Sequence, residues 1–434
     1  MTIGFHTLGC KVNQYDTQAM RELLLAKGYD AVPFHSDADI YLLNTCTVTG
    51  TGDRKSLQIA RRIKREHPDS LLILCGCLAQ KEGERLLDQT GADLILGTQN
   101  RSRIADLLET LRKDGGPICA VDPLGPDLPF EPLRISSISG HTRATVKIQE
   151  GCGNHCTYCV IPSVRGGVRS RPLSEIRSEI LRLRDAGFVE IVLTGIHLAS
   201  YGLDGPERNG GSLIDAISVV HETDGIQRIR LGSLEPGVAT ESFCASLKDM
   251  PKICPQFHLA LQSGSNSVLA RMKRRYNTEQ YLAAASRLRS VFPRAAFTTD
   301  ILTGFPGETE DEFRETKDFI EKMAYARIHV FPFSPRAGTP AAGMPGQLSR
   351  AEKENRARIL ISVGEHTARK YLETWLGETA VLLPEEKIGG KWEGYSPEYI
   401  RITLPENALC QSGVPVSVRL TGFTSGGMSA EIIK

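Results

Sequence analysis

A short stretch near the middle of the chain groups three cysteines. Residues 151–159 have the sequence GCGNHCTYC, which places Cys152, Cys156 and Cys159 in a CxxxCxxC pattern. Three thiolates on one turn, with no fourth cysteine nearby, can bind a [4Fe-4S] cluster and leave one of its irons open to another ligand. A zinc site would need a fourth ligand, and His155 inside the motif is the candidate for it. The pattern therefore predicts a metal site, with an iron-sulfur cluster favoured over zinc.

Three further cysteines are far apart in the sequence but follow similar segments. Cys10, Cys46 and Cys77 come after the first three predicted strands, TIGFHTLG, DIYLLN and LLILCG. The functional crevice of a parallel sheet lies beyond the carboxyl ends of its strands. We therefore expect these three thiols to converge at one edge of a sheet, as a second candidate site.

The elements that must position these cysteines predict an α/β protein of three domains. Four strand-helix repeats predict a parallel α/β sheet domain over residues 1–115. Residues 116–137 are rich in Gly and Pro, which is typical of a linker, with a short strand at 117–121. The alternation then resumes for six units, which predicts a partial (β/α)6 barrel over residues 138–370. The tail, residues 371–434, has short strands separated by GG, SP and SGG, the pattern of a small antiparallel β-barrel.

The composition is that of a folded protein without a membrane span. Hydrophobic residues make up 41% and charged residues 24% of the 434 positions, which is near the average for globular proteins. We expect no signal peptide, and the apolar runs are shorter than the ~18 residues of a span, so a cytoplasmic protein without a membrane partner is expected. Thiols stay reduced there, so clustered cysteines bind metal or react. The net charge of +1 does not indicate nucleic-acid binding by itself, and no cluster of His, Ser and carboxylate residues indicates hydrolysis.

The cysteine motifs carry a resemblance to a known family. CxxxCxxC with Tyr158 before its last cysteine, after the first strand of a six-unit barrel, resembles the radical S-adenosylmethionine (SAM) enzymes. The segments HTLGCKVNQYD, NTCTVTG and CGCLAQ are similar to the first domain of the methylthiotransferases, in which three cysteines hold a second [4Fe-4S] cluster. The opening HTLGCKVNQ is most similar to the members that modify N6-threonylcarbamoyladenosine in tRNA. The tail resembles the small RNA-binding (TRAM-like) β-barrel of these enzymes.

The resemblance implies which cysteines bind iron and take part in catalysis. Six are assigned: Cys10, Cys46, Cys77, Cys152, Cys156 and Cys159. Cys75 competes with Cys77, but Cys75 lies inside a predicted strand, whereas Cys77 follows a glycine as Cys10 does, and the family's ligand belongs to such a Gly-Cys pair. The other cysteines are expected to pack as ordinary small residues: Cys75, Cys119, Cys244, Cys254 and Cys410.

The implied reaction replaces a C–H bond on a tRNA adenine with a methylthio group. The resemblance implies a target, carbon 2 of N6-threonylcarbamoyladenosine at position 37, and this carbon has neither an acidic proton nor a leaving group, so radical chemistry is needed. In the family, the first cluster holds the sulfur, one SAM methylates it, and a second SAM on the other cluster yields a 5′-deoxyadenosyl radical. The implied cofactors are two [4Fe-4S] clusters and SAM. The implied partners are the tRNA anticodon stem-loop and a reductant such as flavodoxin or ferredoxin, whereas the sulfur donor and the oligomeric state are not indicated.

SAM needs polar partners and an apolar seat at the carboxyl ends of the barrel strands. The positions that resemble the family's cofactor-binding residues are Tyr158, Thr194, Gly195, Glu235, Gln262, Ser263, Gly304 and Gly307. Thr194 and Gly195 could also form an ordinary turn, and Glu235 could be an exposed loop carboxylate. Gly304 and Gly307 would let the backbone approach the adenine closely.

Arginines near the predicted barrel mouth suggest contacts with RNA. Arg165, Arg169 and Arg171 lie in VRGGVRSR, and KRR follows at 273–275. Guanidinium groups suit bidentate phosphate contacts, so the three arginines are predicted to bind the anticodon stem-loop, although such charges are more often a solvated face. A basic helix at 54–65 is a further candidate.

The tail has more glutamates than basic residues, so phosphate attraction alone would not drive its binding to RNA. Its aromatic residues could instead stack on unpaired bases. Trp392 and Tyr395 are the predicted RNA contacts, with Tyr399 close by. The alternative is that these rings belong to the core of the tail.

Other functions remain open at this stage. The closest is the same chemistry on isopentenyladenosine in tRNA or on an aspartate of a ribosomal protein. A function of another class is a non-catalytic iron-sulfur protein that binds tRNA or transfers electrons. The cofactor-binding segments after the second, fourth and fifth barrel strands count against that class, because a non-catalytic protein does not need them.

Overall fold

The computed structural model describes residues 1–125, 128–136, 142–204 and 211–433. Its first domain is a six-stranded, all-parallel sheet in the order β2-β1-β3-β4-β5-β6. The strands are β1 (Thr2–Thr7), β2 (Asp30–Val32), β3 (Ile40–Thr45), β4 (Leu71–Gly76), β5 (Leu94–Leu96) and β6 (Ile118–Ala120). The central strand β3, IYLLNT, is buried at every position, as expected where helices cover both faces of a parallel sheet.

Five helices cover this sheet: α1 (Lys11–Ala26), α2 (Gly50–Glu66), α3 (Cys77–Glu82), α4 (Arg85–Thr90) and α5 (Ile104–Asp114). Apolar side chains of α1 and α5 pack on one face, and those of α2, α3 and α4 on the other. The parallel α/β sheet predicted from the sequence is confirmed. The short strands β2 and β6 extend it at its edges, and β6 lies where the sequence predicted a short strand at 117–121 within the linker.

The central domain is built on six parallel strands. Its strands are β7 (Arg143–Glu150), β8 (Arg169–Ser170), β9 (Glu190–Gly195), β10 (Arg228–Leu231), β11 (Gln256–His258), β12 (Ala296–Thr303) and β13 (Arg327–Pro332). The short β8 pairs antiparallel with the end of β7, and the other six run parallel. Bridges between Ile229 and Ile253 and between Leu234 and Leu259 join the two sheets. The result is the predicted partial (β/α)6 barrel.

Helices surround the barrel: α6 (Ile161–Arg165), α7 (Leu173–Asp185), α8 (Leu213–His221), α9 (Glu241–Lys248), α10 (Asn266–Arg271), α11 (Thr278–Val291), α12 (Glu310–Met323) and α13 (Arg350–Glu373). Ala144, Val146 and Ile148 of β7 pack into the core beneath α7 and α8. Because side chains alternate along a strand, the intervening residues of β7 face the barrel interior. Along the described parts of the chain, no helix is long and apolar enough to cross a membrane.

The tail is a closed five-stranded barrel in the order β14-β15-β16-β18-β17. Its strands are β14 (Thr379–Ile388), β15 (Lys391–Tyr395), β16 (Arg401–Thr403), β17 (Val416–Thr424) and β18 (Gly427–Ile432). All neighbours are antiparallel except β16 and β18. This parallel pair arises because β18 turns back from β17 and inserts beside β16.

The tail barrel docks on the amino ends of the central strands. Arg228 and Arg230 at the start of β10 donate hydrogen bonds to the carbonyl oxygens of Tyr395 (3.2 Å) and Pro397 (2.9 Å). Arg230 also pairs with Glu190 at the start of β9 at 2.9 Å. The tail therefore lies at the end of the barrel opposite to the loop that carries the CxxxCxxC motif.

Candidate iron-sulfur and cofactor site

The loop that carries the CxxxCxxC motif follows β7 directly and is fixed by close backbone contacts. Gly151 has φ +72°, and an added Cβ would lie 1.8 Å from the carbonyl oxygen of Gly167. Only glycine fits this position. The next residue, Cys152, donates its backbone N–H to the carbonyl oxygen of Gly166 at 3.0 Å. The loop thus starts as a tight turn against the segment that leads into β8.

Polar hydrogens surround the sulfur atoms of the motif. The backbone N–H groups of Asn154 and Ile161 point at the Sγ atoms of Cys152 and Cys159, each at 3.4 Å. Burial raises the pKa of the Cys159 thiol to about 12, and it also raises that of Cys152. These N–H donors act in the opposite direction, because they stabilise the thiolate that an iron ligand must become.

Arg274 supplies the donor for the third sulfur. Its Nη1 lies 3.2 Å from the Sγ of Cys156, and its Nη2 lies 2.7 Å from Oε1 of Glu235. The side chain is 7% exposed. Arg274 belongs to the KRR segment in which the sequence suggested phosphate contacts. Its guanidinium turns inward to the cysteine loop, while the neighbours Lys273 and Arg275 are exposed.

Glu235 is the centre of a polar network beside this loop. It accepts a hydrogen bond from Asn154 Nδ2 at 3.1 Å and pairs with His197 Nε2 at 3.0 Å. Burial opposes its ionisation, but the hydrogen bond from His197 and the charge of Arg274 hold the pKa of Glu235 below its usual value. The backbone N–H of His197 donates to Gln149 Oε1 at 2.7 Å. A cleft of about 520 Å³ opens onto this network.

Asn154, His197 and Gln149 were not among the site residues predicted from the sequence. Gln149 lies three residues before the cysteine motif and Asn154 lies inside it, and His197 stands in the LTGIHL segment from which only Thr194 and Gly195 were chosen. The available signal was position, because each residue lies at the carboxyl end of a barrel strand or just beyond it. Their partnership with Glu235 depends on side-chain directions that spacing does not give.

The structure brings Cys10, Cys46 and Cys77 together at the carboxyl edge of the first sheet. Cys10 is the N-cap residue of α1, and Cys77 is the first residue of α3. A Cβ on Gly9 would lie 3.1 Å from the Sγ of Cys46. Negative charge on either Cys10 or Cys46 would raise the pKa of Cys77. The three thiols therefore share one electrostatic environment.

Cys75 and Cys77 have different surroundings. Cys75 is fully buried in the sheet core, with its Sγ 3.8 Å from the carbonyl oxygen of Leu43, and burial raises its pKa strongly. Burial also raises the pKa of Cys77 to about 11, against the opposing charge of Arg165, whose Nε lies 3.2 Å from the Cys77 sulfur. The structure thus places Cys77, rather than Cys75, beside the other two thiols of its triad.

Arg165 links the two cysteine triads. It ends α6, which follows the CxxxCxxC loop, and it is completely buried. Its Nη1 pairs with Glu150 Oε1 at 3.1 Å and with Asp16 Oδ2 of the first domain at 3.2 Å. Its Nη2 donates to Asn13 Oδ1. Through the contact with Cys77 described above, one side chain from the barrel closes the cysteine site of the first domain.

Arg165 belongs to a buried charge network between the two domains. Its members are three carboxylates and three cations, Asp16, Glu131, Glu150, Arg101, Lys147 and Arg165. Although burial opposes ionisation, the neighbouring cations hold the pKa values of Asp16 and Glu150 below their usual range. The formal charges balance, as a buried network requires.

The burial of these arginines does not support the predicted RNA contacts. Arg165, Arg169 and Arg171 are only 0%, 4% and 0% exposed. Arg169 Nη2 donates to the carbonyl oxygen of Arg165 at 2.9 Å, and Arg171 pairs with Glu179 at 2.5 Å. Internal carboxylates such as Glu150 and Glu179 hold the guanidinium groups inside the protein, where a phosphate does not reach them. The sequence showed the cations but not these partners.

The predicted aromatic contacts in the tail lie in two different places. Tyr395 stacks on Tyr399 with ring centroids 4.5 Å apart, and the guanidinium of Arg143 lies 4.8 Å from the Tyr395 ring. Tyr395 therefore forms part of the contact between tail and barrel. Trp392 is partly buried against the tail core, with the ammonium of Lys387 5.2 Å from its ring. Part of its side chain is still exposed to solvent.

Two predicted cofactor residues end the second barrel strand, and a third has a strained backbone. Thr194 is 5% exposed near the end of β9, and a Cβ on Gly195 would lie 2.7 Å from Oε1 of Gln149. Gly195 therefore allows Gln149 to lie across the strand ends. Gln262 has φ +71°, while its N–H donates to the carbonyl oxygen of Asp300 at 2.9 Å. Such strain in a non-glycine residue is often found at functional sites.

Other predicted cofactor residues serve internal packing. Ser263 is buried, with its Oγ 3.2 Å from Oγ1 of Thr316 on α12. Gly304 has φ +67°, and an added Cβ would lie 2.4 Å from Cγ of Lys353 on α13. The group that lies close to the Cα of Gly304 is therefore the side chain of Lys353, and the predicted contact of Gly304 with adenine stays a prediction. Gly307, with φ +73°, has open space beside its Cα.

Tyr158 anchors the cysteine loop from inside. Its ring packs against a small apolar cluster of Val268, Met272, Phe305, Phe333 and Ala341. The neighbouring Thr157 donates its N–H to the carbonyl oxygen of Met272 at 3.1 Å. The loop is thus tied to α10 and to the segments that follow β12 and β13.

A large cleft of about 970 Å³ lies where the three domains meet. Its wall includes Cys10, Lys11, Arg143, Val192, Glu385 and Tyr399. The volume is near the upper end of the range for small-molecule sites. Because Cys10 is in its wall, the cleft opens beside the first cysteine triad.

The residues of both triads fit iron-sulfur clusters. Each triad consists of cysteines alone, and in each one an arginine N–H points at one sulfur, from Arg165 to Cys77 and from Arg274 to Cys156. Hydrogen bonds of this kind are typical around cluster sulfurs. Over the described residues, no three His, Cys, Asp or Glu side chains are arranged around a single ion, whereas the cysteines of a cluster bind separate irons.

Comparison with known families agrees with this arrangement. Residues 2–97 match the model of uncharacterized protein family UPF0004, and residues 146–320 match that of the radical SAM superfamily. In solved structures, the fold is similar to the radical S-adenosylmethionine methyltransferase TsrM from Kitasatospora setae, determined with cobalamin and a [4Fe-4S] cluster bound. The TM-score is 0.60 at 15% identity, over 79% of this chain and 77% of that one. This likeness concerns the fold alone.

Two curated relatives extend over most of this chain. Threonylcarbamoyladenosine tRNA methylthiotransferase MtaB of Bacillus subtilis is 39% identical over 406 residues, 92% of this chain and 90% of the relative. The tRNA-2-methylthio-N(6)-dimethylallyladenosine synthase of Symbiobacterium thermophilum is 36% identical over 448 residues, 100% of this chain and 94% of the relative.

The barrel and its cysteine loop define a radical SAM enzyme, which uses [4Fe-4S] chemistry and S-adenosylmethionine. The relatives specify the class further. The chain belongs to the radical SAM tRNA methylthiotransferases, and it is therefore a transferase that acts on tRNA.

Proposed function

We propose that this enzyme methylthiolates carbon 2 of N6-threonylcarbamoyladenosine at position 37 of tRNA, with a [4Fe-4S] cluster on each cysteine triad. The observation that carries the proposal is the convergence of Cys10, Cys46 and Cys77 beside a cleft, with Arg165 of the barrel against the Cys77 sulfur at 3.2 Å. A radical SAM barrel alone needs one triad. A second thiol site, joined to the first by a buried side chain, supports a reaction that also delivers sulfur.

The side chains around the two cysteine sites would have different roles in the reaction. Bound there, the clusters and SAM would supply a radical for the C–H bond and a methylated sulfur for insertion. On the barrel, Arg274 and Glu235 hold the cysteine loop and offer charged partners next to it. At the triad of the first domain, Arg165 of the barrel neutralises charge at Cys77 and excludes water from that sulfur.

The cleft fits the anticodon stem-loop of tRNA in its charge. Lys11, Arg21 and Arg143 line it, against the single carboxylate Glu385. Excess positive charge favours the approach of a phosphate backbone. A one-electron reductant such as flavodoxin or ferredoxin would complete the reaction.

The substrate is supported by the names of the relatives. The Bacillus subtilis and Chlamydia pneumoniae proteins, 39% and 34% identical, are both named for threonylcarbamoyladenosine. The second candidate is the dimethylallyl (isopentenyl) adenosine, because the Symbiobacterium thermophilum relative, 36% identical over the whole chain, is named for that nucleoside.

The test combines iron analysis with mass spectrometry of nucleosides. After anaerobic reconstitution we expect about eight irons per chain, as two four-iron clusters require. The enzyme would then be incubated with SAM, dithionite and two tRNAs, one with each modified adenosine. A methylthio mass shift on threonylcarbamoyladenosine is expected. A shift only on the dimethylallyl nucleoside would favour the second candidate, and four irons without any shift would contradict the proposal.

A further inference from the structure

One cation in the large cleft, Lys11, forms no ion pair or hydrogen bond with the described residues, although the charge of Glu190 acts on it from a longer distance. Lys11 directly follows Cys10 and begins α1. It lines the cleft, and its side chain is accessible to solvent from there. Over the described residues, no carboxylate forms an ion pair with its ammonium and no side chain or carbonyl accepts a hydrogen bond from it. Its charge is therefore available to a molecule in the cleft.

The neighbouring cations are already neutralised. Arg143 pairs with Glu385 at 2.6 Å, and its guanidinium lies over the ring of Tyr399 at 5.1 Å. Arg230, near the start of β10 at the contact with the tail, pairs with Glu190 at 2.9 Å. Buried or stacked arginines of this kind have their donors occupied. Lys11 thus differs from Arg143 and Arg230, because along the described parts of the chain no acceptor lies within hydrogen-bonding distance of its ammonium.

The two candidate nucleosides differ in the charge on N6. The threonylcarbamoyl group ends in a carboxylate, whereas the dimethylallyl group is a neutral hydrocarbon. A carboxylate that leaves water for a cleft needs a cation or several hydrogen bonds in return. If the adenine lies beside the first triad, where sulfur would be delivered, its substituents lie within the same cleft as Lys11.

We propose that Lys11 binds the carboxylate of the threonylcarbamoyl group and so selects this nucleoside over neutral N6 substituents. The inference rests on the proposed function, because it assumes that position 37 of the tRNA enters this cleft. A lysine is suited to the task, since its flexible stem lets a compact charge follow a substituent that is itself flexible.

The test measures binding without turnover. Reconstituted enzyme, without reductant, would be titrated with three anticodon stem-loops that carry threonylcarbamoyladenosine, its methyl ester or unmodified adenosine. The ester keeps the size of the substituent but removes its charge. For the wild-type enzyme we expect the ester to bind about tenfold more weakly than the acid, as for a hydrogen-bonded charge. In Lys11→Met the two should bind equally, and Lys11→Arg should restore part of the difference.

Arg21→Gln is the matched control, because Arg21 lines the same cleft. We expect it to keep the ratio between acid and ester. Equal binding of acid and ester by the wild-type enzyme would overturn the assignment. If Lys11→Met loses the same factor of affinity for all three RNAs, the assignment is also overturned, since Lys11 would then contact a phosphate. A loss of iron in that variant would overturn it as well.

The proposed function is judged separately by product formation. Methylthiolated threonylcarbamoyladenosine from the wild-type enzyme, together with an ester that binds as well as the acid, would leave the function standing and reject the role of Lys11. No product on this nucleoside, with product on the dimethylallyl one, would reject the proposed function itself.

Discussion

At the scale of single residues, the two cysteine triads share one feature, a hydrogen bond from an arginine to one of their sulfur atoms. Each has one arginine that donates an N–H to one sulfur at 3.2 Å, Arg165 to Cys77 and Arg274 to Cys156. Donors and positive charge around cluster sulfurs raise the reduction potential, because they stabilise the more negative, reduced state. The arginines therefore do more than fill space, and their effect should appear in a measured potential.

Arg274→Gln should lower the midpoint potential of the barrel cluster, because it removes both a donor to Cys156 and a positive charge. Iron content should stay near the wild-type value, since the three cysteines remain. The measurement is a redox titration followed by electron paramagnetic resonance. Arg275→Gln is the control, because this neighbouring cation is exposed and donates to the carbonyl oxygen of Gly153 at 3.5 Å rather than to a sulfur atom. An equal shift in both variants would show that general charge, and not the hydrogen bond, sets the potential.

Cys77→Ala and Cys75→Ala separate an iron ligand from a core residue. The first variant should lose about four of eight irons and all methylthiolated product, while it still cleaves SAM. The second removes a buried sulfur that packs in the sheet core, so it should lose about 1 kcal/mol of stability and little activity. Iron analysis and mass spectrometry of the product would distinguish the two variants. Equal losses in both variants would contradict the choice of Cys77.

At the scale of elements, strand ends were the most predictable feature of the site. Parallel strands end at a common edge, so the convergence of Cys10, Cys46 and Cys77 followed from their positions after three successive strands. The partners of charged groups were not predictable in this way. Arg165 and Arg274 have the same local sequence signature as exposed arginines, and only the fold shows that Cys77, Glu150 and other internal groups surround them.

In the tail, too, local sequence predicted the kind of element but not its neighbours. Its short strands and turns predicted a small barrel, which the structure confirms. The parallel pair β16 and β18 was not predicted, because strand order depends on the packing of the closed barrel and not on local pattern. Similarly, Gly304 indicated a close approach, but the sequence did not show that Lys353 of α13 is one of the groups that lie beside it.

The turn before the CxxxCxxC motif gives a prediction at this scale. Gly151→Ala places a Cβ 1.8 Å from the carbonyl oxygen of Gly167 at φ +72°, so the cysteine loop must move. We expect the variant to lose about four of eight irons, those of the barrel cluster. Gly153→Ala is the control, because its Cβ would lie 3.6 Å from Cγ2 of Val168, an ordinary contact. Similar iron content in the two variants would show that the loop tolerates this displacement.

At the scale of the whole molecule, the cysteine site of the first domain depends on a buried interface with the barrel. The tail docks at the amino ends of the barrel strands through Arg228 and Arg230, whereas the first domain docks near their carboxyl ends through Asp16 and Arg165. A second contact joins the first domain to the barrel near Cys46, where Arg336 donates to Thr47 Oγ1 at 2.8 Å. The barrel is therefore held from both ends, and the first site is complete only when this interface is formed.

Asp16→Asn tests how strongly charge holds that interface. Asp16 is fully buried against Arg101, Lys147 and Arg165, and loss of one partner in such a network costs about 3–5 kcal/mol. The pKa of Asp16 is lowered in the folded state. Its contribution to stability is therefore complete above the unfolded pKa of about 4 and is lost as the pH falls through the folded value. The variant should be much less stable than the wild type at pH 7, and the difference should narrow in acid.

Urea unfolding, followed by circular dichroism at neutral pH and below about pH 4, measures both parts of this prediction. The exposed Asp249 provides the control, because Asp249→Asn removes the same charge without a buried partner. A difference between Asp16→Asn and wild type that stays constant with pH would mean that packing, and not ionisation, accounts for the loss. If the difference narrows as expected, the carboxylate of Asp16 is the charge that lets Arg165 remain buried and reach Cys77, and the same variant should then also lose iron from the first triad.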